Sequence, residues 1–191
     1  MKQYIIFAGV NGAGKSTIYQ TSADLFRNTV RINADEILRA FQGNWRKEGD
    51  NFKAMRKAVL KLDQAFQNGD SINQETTLAS SFKAYKRRID EAHKLGYQVS
   101  LYYVGLANPD IAVSRVQQRV AKGGHGVPEE LIRRRYKISL IRLNQLAKYF
   151  DEANIYDNST SHAVLVFSRE GSRVITDNTE GFNWLNGITL R

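Results

Sequence analysis

The chain has no cysteine, only 2 prolines and 3 histidines, and no apolar run approaching the length of a membrane span. Without thiols, disulfides and thiolate chemistry are excluded and the commonest soft metal ligands are missing. Scarce proline beside 42% hydrophobic residues argues against a disordered or linker-rich chain. The first apolar segment begins almost at the N-terminus with no leader-like stretch before it. The cytoplasm is therefore the expected location, and no membrane association is expected. Acidic residues are in deficit too: 19 Asp and Glu stand against 28 Lys and Arg, a net charge of +9. At 191 residues, the chain fits a single domain over 1–191 with an ordinary buried core.

What is present is concentrated near the start. An apolar run, Tyr4-Ile5-Ile6-Phe7-Ala8, reads as a buried first strand, and Gly9-Val10-Asn11-Gly12-Ala13-Gly14-Lys15-Ser16 follows it. This is the phosphate-binding pattern G-x-x-x-x-G-K-[ST], placed between a strand and a helix opening through Thr17 as the pattern requires. The glycines let main-chain N–H groups from Gly9, Asn11, Gly12, Ala13 and Gly14 turn toward phosphate oxygens, and the helix start adds its positive end. Lys15 can reach the β- and γ-phosphates, and the Ser16 hydroxyl can ligate Mg²⁺. A nucleoside triphosphate, ATP or GTP, is the expected ligand.

Helix-period and strand-period segments alternate along the rest. Short strands are expected at 29–32, 71–75, 99–104 and 155–156, with a terminal hairpin of 163–167 and 173–176. Helices are expected over 51–68, with Phe52, Met55, Val59, Leu62 and Phe66 inward, and over 81–95, with Phe82, Tyr85, Ile89, Ala92 and Leu95 inward. Two more are expected near 109–121 and from Pro128 onward. The expectation is an α/β fold: a P-loop NTPase of the kinase-like kind, a three-layer sandwich with a five-stranded, mainly parallel sheet and a C-terminal β-hairpin.

Three further segments carry candidate chemistry. Asp35, in Asn33-Ala34-Asp35-Glu36, is expected just past a strand adjacent to the first. Its carboxylate can take a proton from an attacking hydroxyl or hold Mg²⁺ through water; alternatively it merely caps the following helix. Glu75, Thr76 and Thr77 stand at another strand end. There Glu75 can bind an acceptor hydroxyl and a threonine can meet phosphate or metal, or the group is a cap with a solvated glutamate. No other strand ends in paired acids, so an ATPase-type Walker B is not evident and a kinase is favoured over a motor. The third segment is basic: nine Lys or Arg against two acids lie between 111 and 150. Arg115, Arg119 and Lys122 form one helical stripe, and Arg133, Arg134 and Arg135 point three ways. Gly123-Gly124-His125-Gly126 lies between these groups, so the region 109–137 suits a lid that brings arginines onto a transferring phosphoryl group; a solvated basic face is the alternative. His125 alone does not make a metal site, but it can contact phosphate or acceptor.

These segments together resemble the zeta toxin family of P-loop kinases. The resemblance runs through residues 9–17, Asn33-Ala34-Asp35-Glu36-Ile37, Glu75-Thr76-Thr77-Leu78, Gly96-Tyr97, Arg115, Arg119, Gly123–Pro128, Arg133–Tyr136 and Tyr156-Asp157-Asn158-Ser159. It implies ATP-dependent phosphorylation of a small-molecule hydroxyl, in zeta toxins that of a UDP-N-acetyl amino sugar. It also implies Mg²⁺ at Ser16, Asp35 as base, Glu75 orienting the acceptor beside Thr76, Thr77 and His125, and catalytic roles for Lys15, Arg119 and one of Arg133–Arg135, with Arg134 taken as that one and Arg115 close to the nucleotide. An antitoxin partner is a further implication. The other readings of the residues are a polynucleotide or nucleoside kinase, suggested by the net charge although no aromatic-basic stacking motif accompanies it, and a nucleotide-binding switch without transfer.

Overall fold

Tyr4 to Ala8 are all buried, because helices cover both faces of the strand they form and no polar alternation is needed. That strand, β1 (Lys2–Ala8), is central in a seven-stranded sheet of order β2-β3-β1-β4-β5-β6-β7. The computed structural model describes residues 1–21 and 23–191. Parallel pairing joins β2 (Val30–Ile32), β3 (Ile72–Thr76), β1, β4 (Tyr97–Gly105) and β5 (Glu152–Asp157). Then β6 (Val164–Glu170) and β7 (Arg173–Asp177) continue the same sheet antiparallel. The expected hairpin is thus not a separate appendage, and the sheet counts seven strands rather than five. Covering the edge of β5 spares its backbone groups from an unpaired, aggregation-prone edge. Among the described residues no helix is long and apolar enough to cross a membrane.

The core is divided by the sheet. One cluster holds Tyr4, Ile6, Ile72, Val99 and Leu101 against α3 (Glu48–Asn68), α4 (Phe82–Lys94) and the second half of α6 (Glu129–Leu146). The other holds Ile5, Phe7, Val10 and Val104 against Val113 and Val116 of α5 (Pro109–Ala121) and Ile132 of α6. Helix α6 therefore belongs to both clusters: Ile132 and Tyr136 pack on one and Leu140, Leu143 and Leu146 on the other. Its middle runs past the carboxyl ends of the strands, where the phosphate-binding loop lies.

Four expectations change. First, β3, not β2, is the strand next to β1 on this side, so Asp35 follows a strand one place removed. Second, Phe52, Met55 and Val59 are 61%, 58% and 50% exposed, while Leu62 and Phe66 are buried. Helix α3 has 21 residues, and its buried apolar contacts lie mostly in its later turns. Third, Leu95 lies at the C-cap of α4 and is exposed there. Fourth, both helices of the region 109–137 carry core residues as well as the basic stripe. Ala112, Val113 and Val116 are core residues, and Arg133 of α6, paired with Glu129 of its own helix at 2.9 Å, reaches Asp110 of α5 at 2.7 Å. Only the connection 122–128 lies between the helices.

Candidate active site

The loop after β1 is shaped by close backbone approaches. At Gly12, with φ +83°, a Cβ would stand 2.5 Å from the Ala112 carbonyl oxygen; at Gly14, with φ +91°, it would collide with the Asn158 amide. Only glycine meets both demands. Asn158 in turn donates to the Ala13 carbonyl at 2.8 Å, fastening the loop to the segment after β5. Lys15, the first residue of α1 (Lys15–Thr21), is buried. Its ammonium donates to the carbonyls of Gly9 at 2.7 Å and Val10 at 3.2 Å and lies 3.8 Å from Glu75 Oε1. Burial lowers its pKa, while Glu75 and Asp35 oppose that shift. Ser16 and Thr17 are exposed at the mouth, where the leading N–H groups of α1 lie outside the helical ladder.

The carboxylates differ in their freedom. Asn33, not Asp35, is the N-cap of α2 (Ala34–Ala40): its Oδ1 accepts from the N–H groups of Asp35 at 2.9 Å and Glu36 at 3.3 Å. The capping role is therefore filled by its neighbour, and the Asp35 carboxylate stays 44% exposed with no hydrogen bond among the described residues. Glu75 is clamped instead. Its Oε2 accepts from Arg31 at 2.6 Å and from the Asn33 amide at 3.0 Å, leaving Oε1 toward Lys15. Arg31 also bonds Glu36 at 2.8 Å and lies 3.7 Å over the Tyr19 ring. The Thr76 hydroxyl contacts Tyr85 Oη at 2.7 Å and accepts the Leu78 N–H at 3.2 Å, which commits it to the turn. Thr77 is half-buried beside Leu78, a buried leucine held at φ +54°. Such a conformation costs about 1–3 kcal/mol and is concentrated at functional sites.

The arginines sort differently from expectation. Arg134 is exposed, whereas Arg135 donates to the Asn11 side chain of the phosphate loop at 2.9 Å. The reason is the crossing of α6 between its two core contacts, which turns Arg135 toward the loop and Arg134 outward. Arg119 is half-buried, and its Nε and Nη2 have no partner among the described residues. Burial lowers the pKa of both Arg119 and Arg135, and Asp35 opposes it in each. Arg115 donates to the Thr160 carbonyl at 3.1 Å, on the segment that also carries Asn158. His125 is 10% exposed, 3.6 Å from Asp35 Oδ1, and packed against Trp45 at 5.9 Å between ring centroids.

Lys15 and Glu75 thus come together, and Asp35 and His125 do so beside Arg119, whereas Arg134 is turned outward and the Thr76 hydroxyl is taken up by the turn. Of the three candidate arginines the structure selects Arg135, and it adds roles the sequence does not announce: Asn33 as cap and clamp, Arg31, Trp45 and the Asn158 tether. Of these only Asn33 carried a local signal, an Asn before an acidic first turn.

A triphosphate fits this place on the structure's own terms. Orphaned guanidinium nitrogens at Arg119 are buried polar groups that an anion satisfies, and the glycine loop leaves room that side chains would fill. The exposed Ser16 hydroxyl is a hard oxygen donor of the kind Mg²⁺ takes beside phosphate oxygens.

A mainly parallel α/β sheet with a glycine loop, a lysine and arginines gathered at its carboxyl edge is a P-loop fold of the kinase-like kind. The family model described as zeta toxin matches residues 1–179, and the chain belongs to that family. An uncharacterized protein of Haemophilus influenzae is 29% identical over 132 residues, covering 69% of this chain and 91% of its own. Among solved structures, a chain of the AvrRxo1-ORF1:-ORF2 complex with ATP superposes with a TM-score of 0.75 at 14% identity, over 100% of this chain. This chain spans 65% of that one's length. A chain of the PezAT chromosomal toxin–antitoxin system of Streptococcus pneumoniae gives a TM-score of 0.62 at 18% identity, covering 85% of this chain and 72% of its own.

Proposed function

We propose that the protein is an ATP-dependent kinase that transfers the γ-phosphoryl group to a hydroxyl of a small molecule, with a UDP-N-acetyl amino sugar as the first candidate acceptor. The observation that carries this reading is the grouping of an unbonded carboxylate, Asp35, with unpartnered or loop-bound cations. Asp35 is close enough to Lys15, Arg119, His125 and Arg135 to influence the titration of all four. A general base beside converging guanidinium groups is the constellation phosphoryl transfer needs, because the protein's task there is positioning and charge stabilisation.

In this reading the phosphates lie on the loop 9–15, and Lys15 exchanges its bonds to Gly9 and Val10 for phosphate oxygens. Asp35 accepts the acceptor's proton. Glu75, fixed by Arg31 and Asn33, offers Oε1 to the acceptor, with Thr77 alongside. Arg119 and Arg135 take the charge that spreads over the transferring group, the second in the place expected of Arg134. Arg115 and Asn158 border the nucleotide side. Mg²⁺, held by Ser16 with the phosphates, supplies neutralising charge when bound. Toxin–antitoxin membership of a structural neighbour supports an antitoxin partner for this chain as well.

The test is ADP release with Mg²⁺ across sugar nucleotides, sugars, nucleosides and oligonucleotides, with Lys15→Ala as control. Acceptor-dependent release by the wild type, absent in Lys15→Ala, is expected. Asp35→Ala should retain ATP binding and lose transfer; undiminished transfer in that variant removes Asp35 from its role. Transfer restricted to oligonucleotides turns the reading to a polynucleotide kinase, and ATP binding without any release turns it to a switch.

A further inference from the structure

Asp35 is a base without a holder. Its carboxylate is 44% exposed and receives no hydrogen bond among the described residues: Asn33 Oδ1 caps backbone N–H groups and the Asn33 amide is given to Glu75 and Glu36. A carboxylate free to rotate on a helix surface spends much of its time pointing away from the acceptor. Reactions of this kind are sensitive to displacements of about 1 Å, which can cost roughly a hundredfold in rate. One side chain is placed to hold it: His125 Nε2 stands 3.6 Å from Asp35 Oδ1, inside ion-pair range but beyond a hydrogen bond. A bond of about 2.9 Å needs a movement of less than about 1 Å.

The loop that carries His125 packs closely against the segment that follows α2, so the ring has a surface to rest on as it closes the remaining gap. It docks on both ends of the α2 segment: His125 meets Asp35 in the first turn, and it meets Trp45 just beyond the last. Gly126 is pressed so close that a Cβ there would stand 2.5 Å from the Trp45 ring and 2.8 Å from Val120. Trp45 itself is held on its other partner, the Arg46 guanidinium, at 4.1 Å. Gly124 lies on Arg119, where a Cβ would stand 2.6 Å from its Cγ. The loop thus lies against Arg119 at one end and Asp35 at the other.

The imidazole is suited to donate rather than to titrate. Burial disfavours its charged form; Asp35 opposes that, and Arg119 of α5, Arg39 of α2 and Arg135 of α6 reinforce it. Neutral imidazole still carries one ring N–H.

We infer that His125 is a positioning residue for Asp35: settled on Trp45, it donates from Nε2–H to Oδ1 and holds the other oxygen toward the acceptor. The inference rests on Asp35 being the base. In the step itself the acceptor O–H proton passes to Asp35, the acceptor oxygen bonds to the γ-phosphorus, and the bond from that phosphorus to the bridging oxygen breaks as ADP leaves. His125 exchanges no proton.

Two substitutions separate the donor from the ring. His125→Phe keeps a flat ring against Trp45 and removes the N–H; His125→Gln places an amide N–H near the Nε2 position. His125→Phe should lower kcat by about 10- to 100-fold with KM for ATP within about twofold, and His125→Gln should recover most of it. An unaltered ATP-dependent rise in melting temperature certifies each fold. A His125→Phe enzyme with wild-type kcat, or a Gln variant no better than Phe, overturns the inference. Imidazole ¹⁵N spectra give a readout without turnover: the Nε2–H tautomer, with a signal that moves on Asp35→Asn in the ATP·Mg²⁺ complex, is expected. A His125 signal indifferent to Asp35 overturns the contact. A wild type that transfers nothing while the spectra show the contact would fail the kinase reading and leave the contact standing.

Discussion

Neighbouring residues of one type have opposite fates here, and the difference is testable side by side. Arg134 and Arg135 are adjacent, yet one is exposed and the other bonds Asn11 of the phosphate loop. Arg135→Ala should lower kcat about 100- to 1,000-fold, the usual cost of removing a donor aimed at developing charge, while Arg134→Ala should stay within about threefold. Steady-state ADP release checks both. His125 also has a consequence for stability. Its pKa is held below the ordinary value in the folded chain, so below about pH 6.5 the unfolded chain takes up a proton that the native state resists, and stability falls as pH falls. His125→Gln removes that component. Urea unfolding should therefore show the variant gaining on the wild type between about pH 7.5 and about pH 5.5.

At the scale of elements, the phosphate loop depends on what its neighbours let it approach. Gly12→Ala puts a methyl group against the Ala112 carbonyl of α5 at a positive φ. It should cost about 1–3 kcal/mol in urea unfolding. Because α5 is a core helix and cannot readily retreat, the loop should yield, and ATP should no longer raise the melting temperature. The helices also show where periodicity misleads. The spacing in 51–68 identifies α3 correctly, but the apolar stripe begins at Phe52, Met55 and Val59, ahead of most of the buried contacts at Leu62, Ala65 and Phe66. Periodicity reports which side chains share a face; it does not report how far the partner extends. In the region 109–137 the apolar positions reach further into the fold than the charge pattern indicates. Its charge points to the basic stripe, while Val113, Val116 and Ile132 place the apolar sides of both helices in the core.

For the whole molecule, the last strands and the C-terminal tail complete the fold that the first residues begin. Arg169 of β6 is buried and donates to the carbonyls of Ala147, Phe150 and Leu190, joining sheet, α6 and tail. Trp184 of the tail stacks on Tyr103 of β4 and donates to Asp157 at the end of β5 at 2.8 Å. Asn158, the next residue, holds the phosphate loop. Nucleotide binding and global stability are thus linked across the chain. ATP·Mg²⁺ at about 100 times its Kd should add about 2.7 kcal/mol, a rise of roughly 5–10 °C for a chain this size. Lys15→Ala should abolish the rise, as differential scanning fluorimetry can show.

The linear order of residues determined the parts whose physics is local. Glycines at fixed intervals before a lysine, between an apolar run and a helix start, specify an anion cradle wherever they occur, and alternating βα segments specify a parallel sheet. Family membership followed from motifs kept in one order along the chain. Tertiary structure alone decided the strand beside β1, the arginine that faces the loop, the freedom of Asp35 and the clamping of Glu75. Each of these depends on contacts between segments far apart in sequence, such as Arg135 with Asn11 or Arg31 with Glu75. Local propensity carries no information about which distant partner arrives, because that choice is made by burying the two faces of one sheet together.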